Sequence, residues 1–348
     1  MSTQQALIIP SAKAPFILSP LPIPVPNKGE VRLKIVSVAL NPMSYAQHDY
    51  DFFIPEYPAV VGSDIAGVVD EVGEGVEGFA KGDEVFAGVL IGGFQQYTTL
   101  PAGLLIRKPK NVSFDEVATF PITFTTALVG LFAPAPIGLA LNPSYSWNKP
   151  QQGESGLVIG GGTSVGQFAV QLLKFLGFTR IVVYASKVHF DYLKELGATE
   201  YIDRGEVPLE KLVVTPPVKV VYDATGALDA AYDSVVDGGK VTTARPQAQT
   251  DRESRGITVV RCFGFYAGPD VLPPIGDPAQ YPGVPEHTSF GKLMIEELPK
   301  MIEQGAVVPN RVEVLPNGLA SVPDALERMK AGGVSGVKLV AHPQESSA

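Results

Sequence analysis

The chain has 348 residues, with 27 Lys or Arg against 36 Asp or Glu and a formal net charge of −9. Nucleic acids and anionic membranes are bound through basic surfaces, so this balance argues against both as the main partner. A single cysteine, Cys262, excludes an internal disulfide and a structural zinc site built from several cysteines. No signal-peptide pattern opens the chain, and Pro134 and Pro136 break its longest apolar stretch, so we expect a soluble, cytoplasmic protein.

The first third of the chain predicts a β-rich domain. Residues 31–38 alternate between apolar and polar, which is the period of a half-buried strand, and residues 73–85 are dense in turn-forming glycines. A small, strongly bent β-barrel fits this pattern. Ser113 and Glu116 then predict a capping box at the start of a helix. The Pro- and Gly-rich residues 134–150 predict a long surface loop, and its role as a lid stays open.

From residue 156 onwards, strands and helices alternate. We predict strands over residues 156–159, 181–184, 218–222 and 239–243, and helices over residues 165–176 and 190–196. Such alternation is typical of a parallel sheet with covering helices. Residues 337–340 predict a strand that rejoins the first domain, and the tail after Pro343 is expected to be disordered.

The strongest motif is a glycine cluster between a predicted strand and a predicted helix. It contains Gly160, Gly162 and Gly166, and its spacing is one residue longer than the usual Gly-x-Gly-x-x-Gly. Glycine clusters also occur in flexible loops. Here the preceding strand and the following helix favour a turn that brings a dinucleotide pyrophosphate onto a helix N-terminus.

The residues that follow the second strand indicate which dinucleotide is bound. An acidic residue about twenty positions after the glycines would hold the ribose hydroxyls of NAD. Ser186 and Lys187 stand there instead, and we expect that no carboxylate stands nearby to repel a 2′-phosphate. A hydroxyl and an ammonium suit the 2′-phosphate of NADPH, although an ordinary solvated turn would read the same way.

Further segments extend this pattern over nearly the whole chain. They are Asn41 with Pro42, residues 62–69, residues 82–85, residues 221–226 and residues 333–338. Together they resemble the zinc-independent branch of the medium-chain dehydrogenases/reductases, and most closely the fungal trans-acting enoyl reductases and quinone oxidoreductase-like proteins. The resemblance implies an α/β fold: a Rossmann doubly wound parallel sheet plus a GroES-like β-barrel domain. It divides the chain into a GroES-like substrate domain (1–125), a Rossmann NADPH-binding domain (126–270) and a return segment (271–348).

The resemblance also implies contacts for individual residues. The nicotinamide would lie near Pro42, Met43, Ser44, Tyr45, Thr225, Val334 and Ser335, and the pyrophosphate near Gly160, Gly162, Thr163, Ser164, Val165 and Gly166. The 2′-phosphate would lie near Ser186, Lys187, Val188, His189 and Tyr201. The substrate would contact Thr119, Phe120, Thr123, Thr126, Phe263, Phe265 and Tyr266. Plain surface roles for His189 and Tyr201, and core packing for Phe263 and Phe265, stay open as alternatives.

Departures from the zinc-dependent relatives shape the expected chemistry. Those relatives place a cysteine at about Asn41 and a His-Glu pair at about Ser63 and Asp64. Asn41 and Ser63 supply neither the thiolate nor the imidazole, so we expect this chain to bind no metal. Tyr45 and Tyr50 are the candidate proton donors, and each also reads as simple packing.

The expected activity is NADPH-dependent reduction of a C=C bond activated by a carbonyl or thioester. Quinone reduction is the alternative within the same class. The alternatives of another class are an NADPH-binding partner of a polyketide synthase and a non-catalytic NADPH-binding protein. The substrate would be a small molecule or carrier-bound, and the chain a monomer or homodimer.

Overall fold

The computed structural model describes residues 2–51, 53–262, 264 and 285–346. These residues fall into two compact units. The first unit contains the described residues up to Ile122 and from Pro309 onwards. The second contains those from Thr123 to Val308. Within the described residues, no helix is both long and apolar enough to span a membrane.

The strands and helices alternate along the chain in the following order. The strands are β1 (Thr3–Ile8), β2 (Ile17–Pro22), β3 (Glu30–Ala39), β4 (Asp64–Val72), β5 (Glu84–Gly88), β6 (Tyr97–Pro101), β7 (Ile106–Arg107), β8 (Ser155–Ile159), β9 (Arg180–Ala185), β10 (Glu200–Asp203), β11 (Val218–Asp223), β12 (Val235–Thr243), β13 (Thr258–Arg261), β14 (Val312–Val314) and β15 (Lys338–Ala341). The helices are α1 (Pro42–Tyr50), α2 (Phe114–Val117), α3 (Pro121–Phe132), α4 (Ser164–Leu176), α5 (Phe190–Leu196), α6 (Leu228–Ser234), α7 (Pro285–Glu303) and α8 (Val322–Lys330).

The first unit is built around a seven-stranded sheet. Its strands follow the order β14-β15-β3-β4-β5-β7, and β6 also pairs with β3. The alternation predicted for residues 31–38 is confirmed in β3, where Val31, Leu33 and Ile35 are fully buried. The return of the C-terminal chain is confirmed as well, because β15 pairs antiparallel with β3. The predicted capping box before α2 is also present, with the side chains of Ser113 and Glu116 each accepting a backbone N–H.

The second unit is a six-stranded sheet in the order β10-β9-β8-β11-β12-β13, and its neighbours pair in parallel. The four strands and two helices predicted from residue 156 onwards are confirmed as β8, β9, β11, β12, α4 and α5. The chain runs from β8 outwards to β9 and then returns to β11 on the other side. The strand order therefore reverses between β8 and β11, and ligands of such sheets bind at the carboxyl ends of the strands at this point.

The predicted loop over residues 134–150 is packed against helices of its own unit. Tyr145 is buried, with its ring centroid 5.2 Å from that of Phe290 in α7 and 5.7 Å from that of Phe132 in α3. Trp147 Nε1 donates to Glu297 Oε2 at 3.2 Å. A lid movement of this loop would have to break these contacts.

The expectation of a disordered tail after Pro343 is wrong up to Ser346. The Gln344 side chain donates to the carbonyl oxygens of Ile35 and Gln96, at 2.9 Å and 2.8 Å. The Ser346 hydroxyl accepts the backbone N–H of Leu319 at 2.8 Å. Chain termini are usually poorly ordered, but here polar side chains of the tail satisfy main-chain groups that are distant in sequence.

His342 lies between two carboxylates, Asp115 of α2 and Glu345 of the tail itself. Its Nε2 lies 2.8 Å from Asp115 Oδ1, and its Nδ1 lies 3.0 Å from Glu345 Oε1. Partial burial opposes the charged ring, but the two carboxylates outweigh it and raise the pKa of His342 above its ordinary value of 6.5. The imidazolium is therefore more stable in the folded protein than in the unfolded chain.

We expect His342→Gln to lower the melting temperature in a pH-dependent way. A raised folded-state pKa contributes stability that is fully present below about pH 6.5 and is lost as the pH rises through the folded value. Because the ring is partly exposed and screened by solvent, the contribution is about 1 kcal/mol or less. Thermal unfolding of both proteins between pH 5.5 and 8.5 should show a gap that narrows with pH, and a constant gap would contradict this explanation.

Candidate functional site

The glycine cluster forms the turn between β8 and α4, at the point where the strand order reverses. Thr163 is the N-cap of α4: its hydroxyl accepts the backbone N–H of Gly166 at 3.0 Å and donates to the Gly160 carbonyl at 2.8 Å. Thr163 is exposed and Gly162 half-buried, so the outer side of the turn is open to solvent. The first turn of α4 contains no acidic residue.

Packing around the turn leaves no room for side chains at the glycines. A Cβ at Gly166 would lie 2.3 Å from the Gly160 carbonyl oxygen, and a Cβ at Gly160 would lie 2.5 Å from Thr225 Cγ2. A Cβ at Gly162 would lie 2.8 Å from the His189 ring. Gly160 also has a φ of +82°, in the left-handed region that favours glycine.

These features fit a dinucleotide pyrophosphate. A phosphate can approach the backbone of the turn because no Cβ intervenes. The N-terminus of α4 adds backbone N–H donors and the positive end of the helix dipole. The residues at this turn can therefore hold the phosphates of a nicotinamide cofactor.

The end of β9 carries the residues predicted to select the nucleotide. Ser186 is half-buried, Lys187 is exposed and Val188 is 80% exposed. The statement that no carboxylate stands nearby is wrong, because β10 ends beside this segment at Asp203. Asp203 Oδ1 accepts the backbone N–H of Lys187 at 3.3 Å and that of Gly205 at 2.9 Å. These donors fix the loop and partly offset the charge of Asp203. Asp203 belongs to β10, so the residues that follow β9 in sequence do not reveal it.

His189 and Tyr201, both assigned to the 2′-phosphate by resemblance, have local contacts. His189 is buried, with its ring against Gly162 of the glycine turn. The Tyr201 hydroxyl donates to the Ala198 carbonyl at 2.9 Å, and its ring lies 4.9 Å from that of Phe190. Burial, with Asp191 nearby, raises the pKa of Tyr201. Neither residue is a plain surface side chain.

Asp223 at the end of β11 organises the loop that borders the glycine turn. Its buried carboxylate accepts the backbone N–H groups of Thr225 and Gly226, at 2.9 Å and 3.0 Å, and the Thr225 hydroxyl at 3.0 Å. The Thr243 hydroxyl, at the end of β12, donates to the other carboxylate oxygen at 2.9 Å. Thr225 is thereby held against Gly160. In the sequence, Asp223 lies in the family-like segment 221–226, but no local pattern indicates that its carboxylate organises this loop.

The first unit contains a buried polar network around Asn41 and Asp64, two of the positions where the family resemblance implies metal-site residues in zinc-dependent relatives. Asn41 Nδ2 donates to Asp64 Oδ2 at 2.8 Å, and Lys338 Nζ donates to Asn41 Oδ1 at 2.5 Å. Lys338 Nζ also lies 3.3 Å from Asp64 Oδ2. Asp64 Oδ1 accepts the backbone N–H of Ile122 at 2.9 Å. We call Asn41, Asp64 and Lys338 the Asn–Asp–Lys network.

Burial and charge act in opposite directions within this network. Burial raises the pKa of Asp64, and the neighbouring Lys338 ammonium and the Asn41 amide oppose the rise. Burial lowers the pKa of Lys338, and Asp64 opposes that shift. Loss of one charged partner from such a buried pair is expected to cost about 3–5 kcal/mol, because the other charge is left without compensation.

Helix α1 follows directly after Asn41 and contains the residues assigned to the nicotinamide and to proton donation. Ser44 is buried, and its hydroxyl has no hydrogen-bond partner among the described residues. Tyr45 is partly buried and packs against the core of its unit, whereas Tyr50 is 74% exposed. On the segment before β15, Val334 packs against the same core and Ser335 is exposed.

The residues assigned to the substrate divide into two groups. Thr119 and Phe120 are buried in the first unit, where the Thr119 hydroxyl accepts the backbone N–H of Asn310 at 3.2 Å. Thr123 is buried in the second unit, and the Thr126 carbonyl there accepts the Tyr222 hydroxyl at 3.2 Å. The remaining predicted contacts, Phe263, Phe265 and Tyr266, lie outside the described residues.

Comparison with known proteins identifies the family. Residues 27–110 match the alcohol dehydrogenase GroES-like domain, and residues 164–248 match the zinc-binding dehydrogenase domain. A zinc-type alcohol dehydrogenase-like protein of Schizosaccharomyces pombe is 30% identical, covering 97% of this chain and 99% of the relative. A trans-enoyl reductase of Aspergillus flavipes is 34% identical over 97% of this chain and 98% of its own length. The chain belongs to the medium-chain dehydrogenase/reductase family.

Solved structures of this family share the fold. A protein from Rhizobium etli described as a zinc-dependent alcohol dehydrogenase superposes with a TM-score of 0.78 at 22% identity and 98% coverage of both chains. The predicted combination of a Rossmann sheet and a GroES-like domain is thereby confirmed. As a medium-chain dehydrogenase/reductase, the protein is an oxidoreductase, and its homologues in this family bind a nicotinamide cofactor.

Proposed function

We propose that this medium-chain dehydrogenase/reductase uses NADPH to reduce a C=C bond conjugated to a carbonyl or thioester, and that it does so without a catalytic zinc ion. The observation that carries the proposal is the Asn–Asp–Lys network. Asn41 and Ser63 supply an amide and a hydroxyl where zinc-dependent relatives have a thiolate and an imidazole. The Lys338 ammonium, 3.3 Å from the Asp64 carboxylate, would repel a divalent cation at this position.

A site of this composition favours particular chemistry. Oxidation of an alcohol or reduction of a simple carbonyl gains most from a Lewis acid that polarises the oxygen. A conjugated C=C bond needs less help, because the negative charge formed on the substrate spreads onto its carbonyl oxygen as an enolate. When bound, the reduced nicotinamide supplies the hydride. Protonation at carbon then completes the reduction. Of the two candidate donors, the partly buried Tyr45 is held more firmly than the exposed Tyr50.

The proposed preference for NADPH is supported by the loop after β9. The Ser186 hydroxyl and the Lys187 ammonium provide hydrogen-bond donors for a 2′-phosphate. Asp203, the nearby carboxylate, already accepts two backbone N–H groups, at 3.3 Å and 2.9 Å. Both bonds go to Oδ1 and hold the loop in shape. Asp203 ends β10, whereas the acidic residue of an NAD site stands at the end of the second strand, which is β9 here.

Relatives support the proposed substrate class. Trans-enoyl reductases occur among the similar proteins, including one from Aspergillus terreus that is 36% identical over 67% of this chain and 80% of its own length. By analogy, an enoyl thioester, an enal or an enone is the proposed acceptor for this chain, free or bound to a carrier. The chain is proposed to act as a monomer or homodimer, and an NADPH-binding partner of a polyketide synthase is the separate alternative of another class.

The test is NADPH oxidation by purified protein with a 2-enal, a cyclic enone, an enoyl thioester and a quinone, with NADH in parallel and a metal chelator throughout. We expect turnover of at least one unsaturated carbonyl compound that the chelator leaves unchanged. Turnover of the quinone alone would replace the proposal by quinone reduction. Inhibition by the chelator would overturn zinc independence. Tight NADPH binding without any turnover would favour a non-catalytic binding protein.

Lys187→Ala tests the cofactor assignment directly. Loss of a charge-assisted hydrogen bond of about 1.5–3 kcal/mol should weaken NADPH binding roughly tenfold to a hundredfold. NADH affinity should change less than about threefold, because NADH has no 2′-phosphate. Lys194→Ala, at an exposed lysine on α5 of the same unit, is the matched control. Calorimetric titration with both cofactors gives the readout, and equal losses for NADPH and NADH would contradict the assignment.

A further inference from the structure

The Asn–Asp–Lys network joins elements that are remote in sequence. Asn41 precedes α1, Asp64 begins β4 and Lys338 begins β15. Asp64 also accepts the backbone N–H of Ile122, in the first turn of α3. One buried set of polar contacts therefore fixes the starts of four elements. Its members have 0–3% exposure, so solvent cannot replace the contacts once they are lost.

The side chain of Asn41 is used in an unusual way. Asparagine at an N-cap normally accepts a backbone N–H from the first turn of its own helix. Asn41 is the N-cap of α1, yet its side chain makes no capping hydrogen bond and is bonded to Asp64 and Lys338 instead. The position of the first turn of α1 is thus tied to two strands rather than set by the helix itself.

We propose that Asn41, Asp64 and Lys338 act as positioning residues that hold residues 42–45 and 334–335 in the arrangement required by the nicotinamide end of the cofactor. This rests on the proposed function. Residues 42–45 follow Asn41 directly, and residues 334–335 end three positions before Lys338. The network therefore anchors both segments of the first unit that the family resemblance assigns to the nicotinamide.

Two buried hydroxyls next to the network support this role. Ser44 lies in the first turn of α1 and Ser63 precedes Asp64, and the Oγ atoms of both are buried without a hydrogen-bond partner among the described residues. Buried polar groups are costly unless they are satisfied. Two hydroxyls that a bound molecule can satisfy therefore lie close to the network in sequence. Ser63 is one position from Asp64, and Ser44 is three positions from Asn41.

The proposal predicts that disruption of the network affects the nicotinamide end and spares the phosphate end. The phosphates are assigned to the glycine turn and to the loop after β9, which share no residue with the network. In the wild type, NADPH should bind more tightly than 2′-phospho-ADP-ribose, which lacks the nicotinamide. In Asn41→Ala this affinity ratio should fall towards one, while the affinity for 2′-phospho-ADP-ribose stays within about threefold of the wild type.

Catalysis should respond more strongly than binding. A displacement of about 1 Å in the reacting groups can lower the rate roughly a hundredfold, so we expect kcat to fall tenfold to a hundredfold with a smaller change in the KM for NADPH. Asn27→Ala, at an exposed asparagine of the same unit, should leave the affinity ratio and kcat unchanged. Lys338→Met should lower the affinity ratio and kcat as Asn41→Ala does. Lys338→Arg should keep most of both values, because arginine keeps the charge and the hydrogen-bond donors.

A variant without any buried charge in the network separates loss of positioning from loss of the fold. Asp64→Asn combined with Lys338→Met removes both charges, and such replacements are often neutral or stabilising. This double variant should fold and still show the reduced affinity ratio. An unchanged ratio in a folded network variant, with only the melting temperature lowered, would overturn the proposal and leave a structural role.

The affinity ratio separates failure of this proposal from failure of the proposed function. If the wild type binds NADPH and 2′-phospho-ADP-ribose but reduces no substrate of the panel, the ratio still tests the network. If the wild type binds neither ligand, the cofactor assignment itself fails and the positioning role falls with it.

Discussion

Gly166→Val should abolish binding of the nicotinamide cofactor. A Cβ at this position would lie 2.3 Å from the Gly160 carbonyl oxygen and 2.9 Å from Gly161 Cα, and backbone atoms cannot move aside as a flexible side chain can. The β8–α4 turn would have to open, which displaces the N–H groups that the phosphates need. We expect a loss of at least about 100-fold in affinity, measured by calorimetric titration with NADPH.

Gly205→Ala serves as the matched control in the same unit. Its Cβ would lie 3.4 Å from Asp203, at the boundary of ordinary van der Waals contact, and we expect a folded protein that binds the cofactor. Circular dichroism of both variants separates a local effect from global unfolding. Wild-type affinity in a folded Gly166→Val protein would show that the turn does not bind the phosphates.

Asp223→Ala should have the largest effect on stability. The substitution removes a buried carboxylate that accepts from Thr225, Gly226 and Thr243, and the fully buried Thr243 hydroxyl would lose its acceptor where water does not reach. Hydrogen bonds to charged groups contribute about 1.5–3 kcal/mol each, so the loss should be about 3 kcal/mol or more. At 2–4 °C per kcal/mol for a unit of this size, the melting temperature should fall by roughly 6–12 °C.

The contrast with an exposed aspartate of the same unit makes this prediction specific. Asp229 is exposed and accepts the Thr250 hydroxyl at the surface, so Asp229→Ala should change stability by no more than about 0.5 kcal/mol. Asp223→Asn should fall between the two, because an amide keeps one acceptor oxygen. Equal melting temperatures for Asp223→Ala and Asp229→Ala would show that the Asp223 contacts are not cooperative with folding.

The Gly166 and Asp223 predictions both concern the carboxyl ends of the parallel strands, where a small number of main-chain groups form much of the candidate site. The glycine turn leaves its backbone accessible, and Asp223 holds the neighbouring loop against it through Thr225. Substitution of Gly166 or Asp223 should therefore change both the stability of the fold and the affinity for the cofactor. Lys187→Ala, by contrast, should change NADPH affinity alone, because its side chain is exposed.

Local patterns in the sequence were sufficient to predict four of the six strands in the sheet of the second unit, β8, β9, β11 and β12, together with the helices α4 and α5. The half-buried period of β3, the capping box of Ser113 and the glycine turn before α4 were equally readable. Each depends on residues within a few positions of one another, whose spacing directly reflects the geometry of a strand, a helix or a turn.

Contacts between distant residues were decided only by the tertiary structure. Lys338 and Asn41 are 297 positions apart, and His342 and Asp115 are 227 positions apart. The residue types at Asn41 and Asp64 already argue against zinc, but nothing in the sequence indicates that Lys338 completes a buried network with them. The position of Asp203 beside Lys187 and the contacts of the C-terminal tail are equally invisible in the sequence. Such pairs arise from strand order and packing, and no periodicity within one segment encodes which distant side chain will occupy the same buried space.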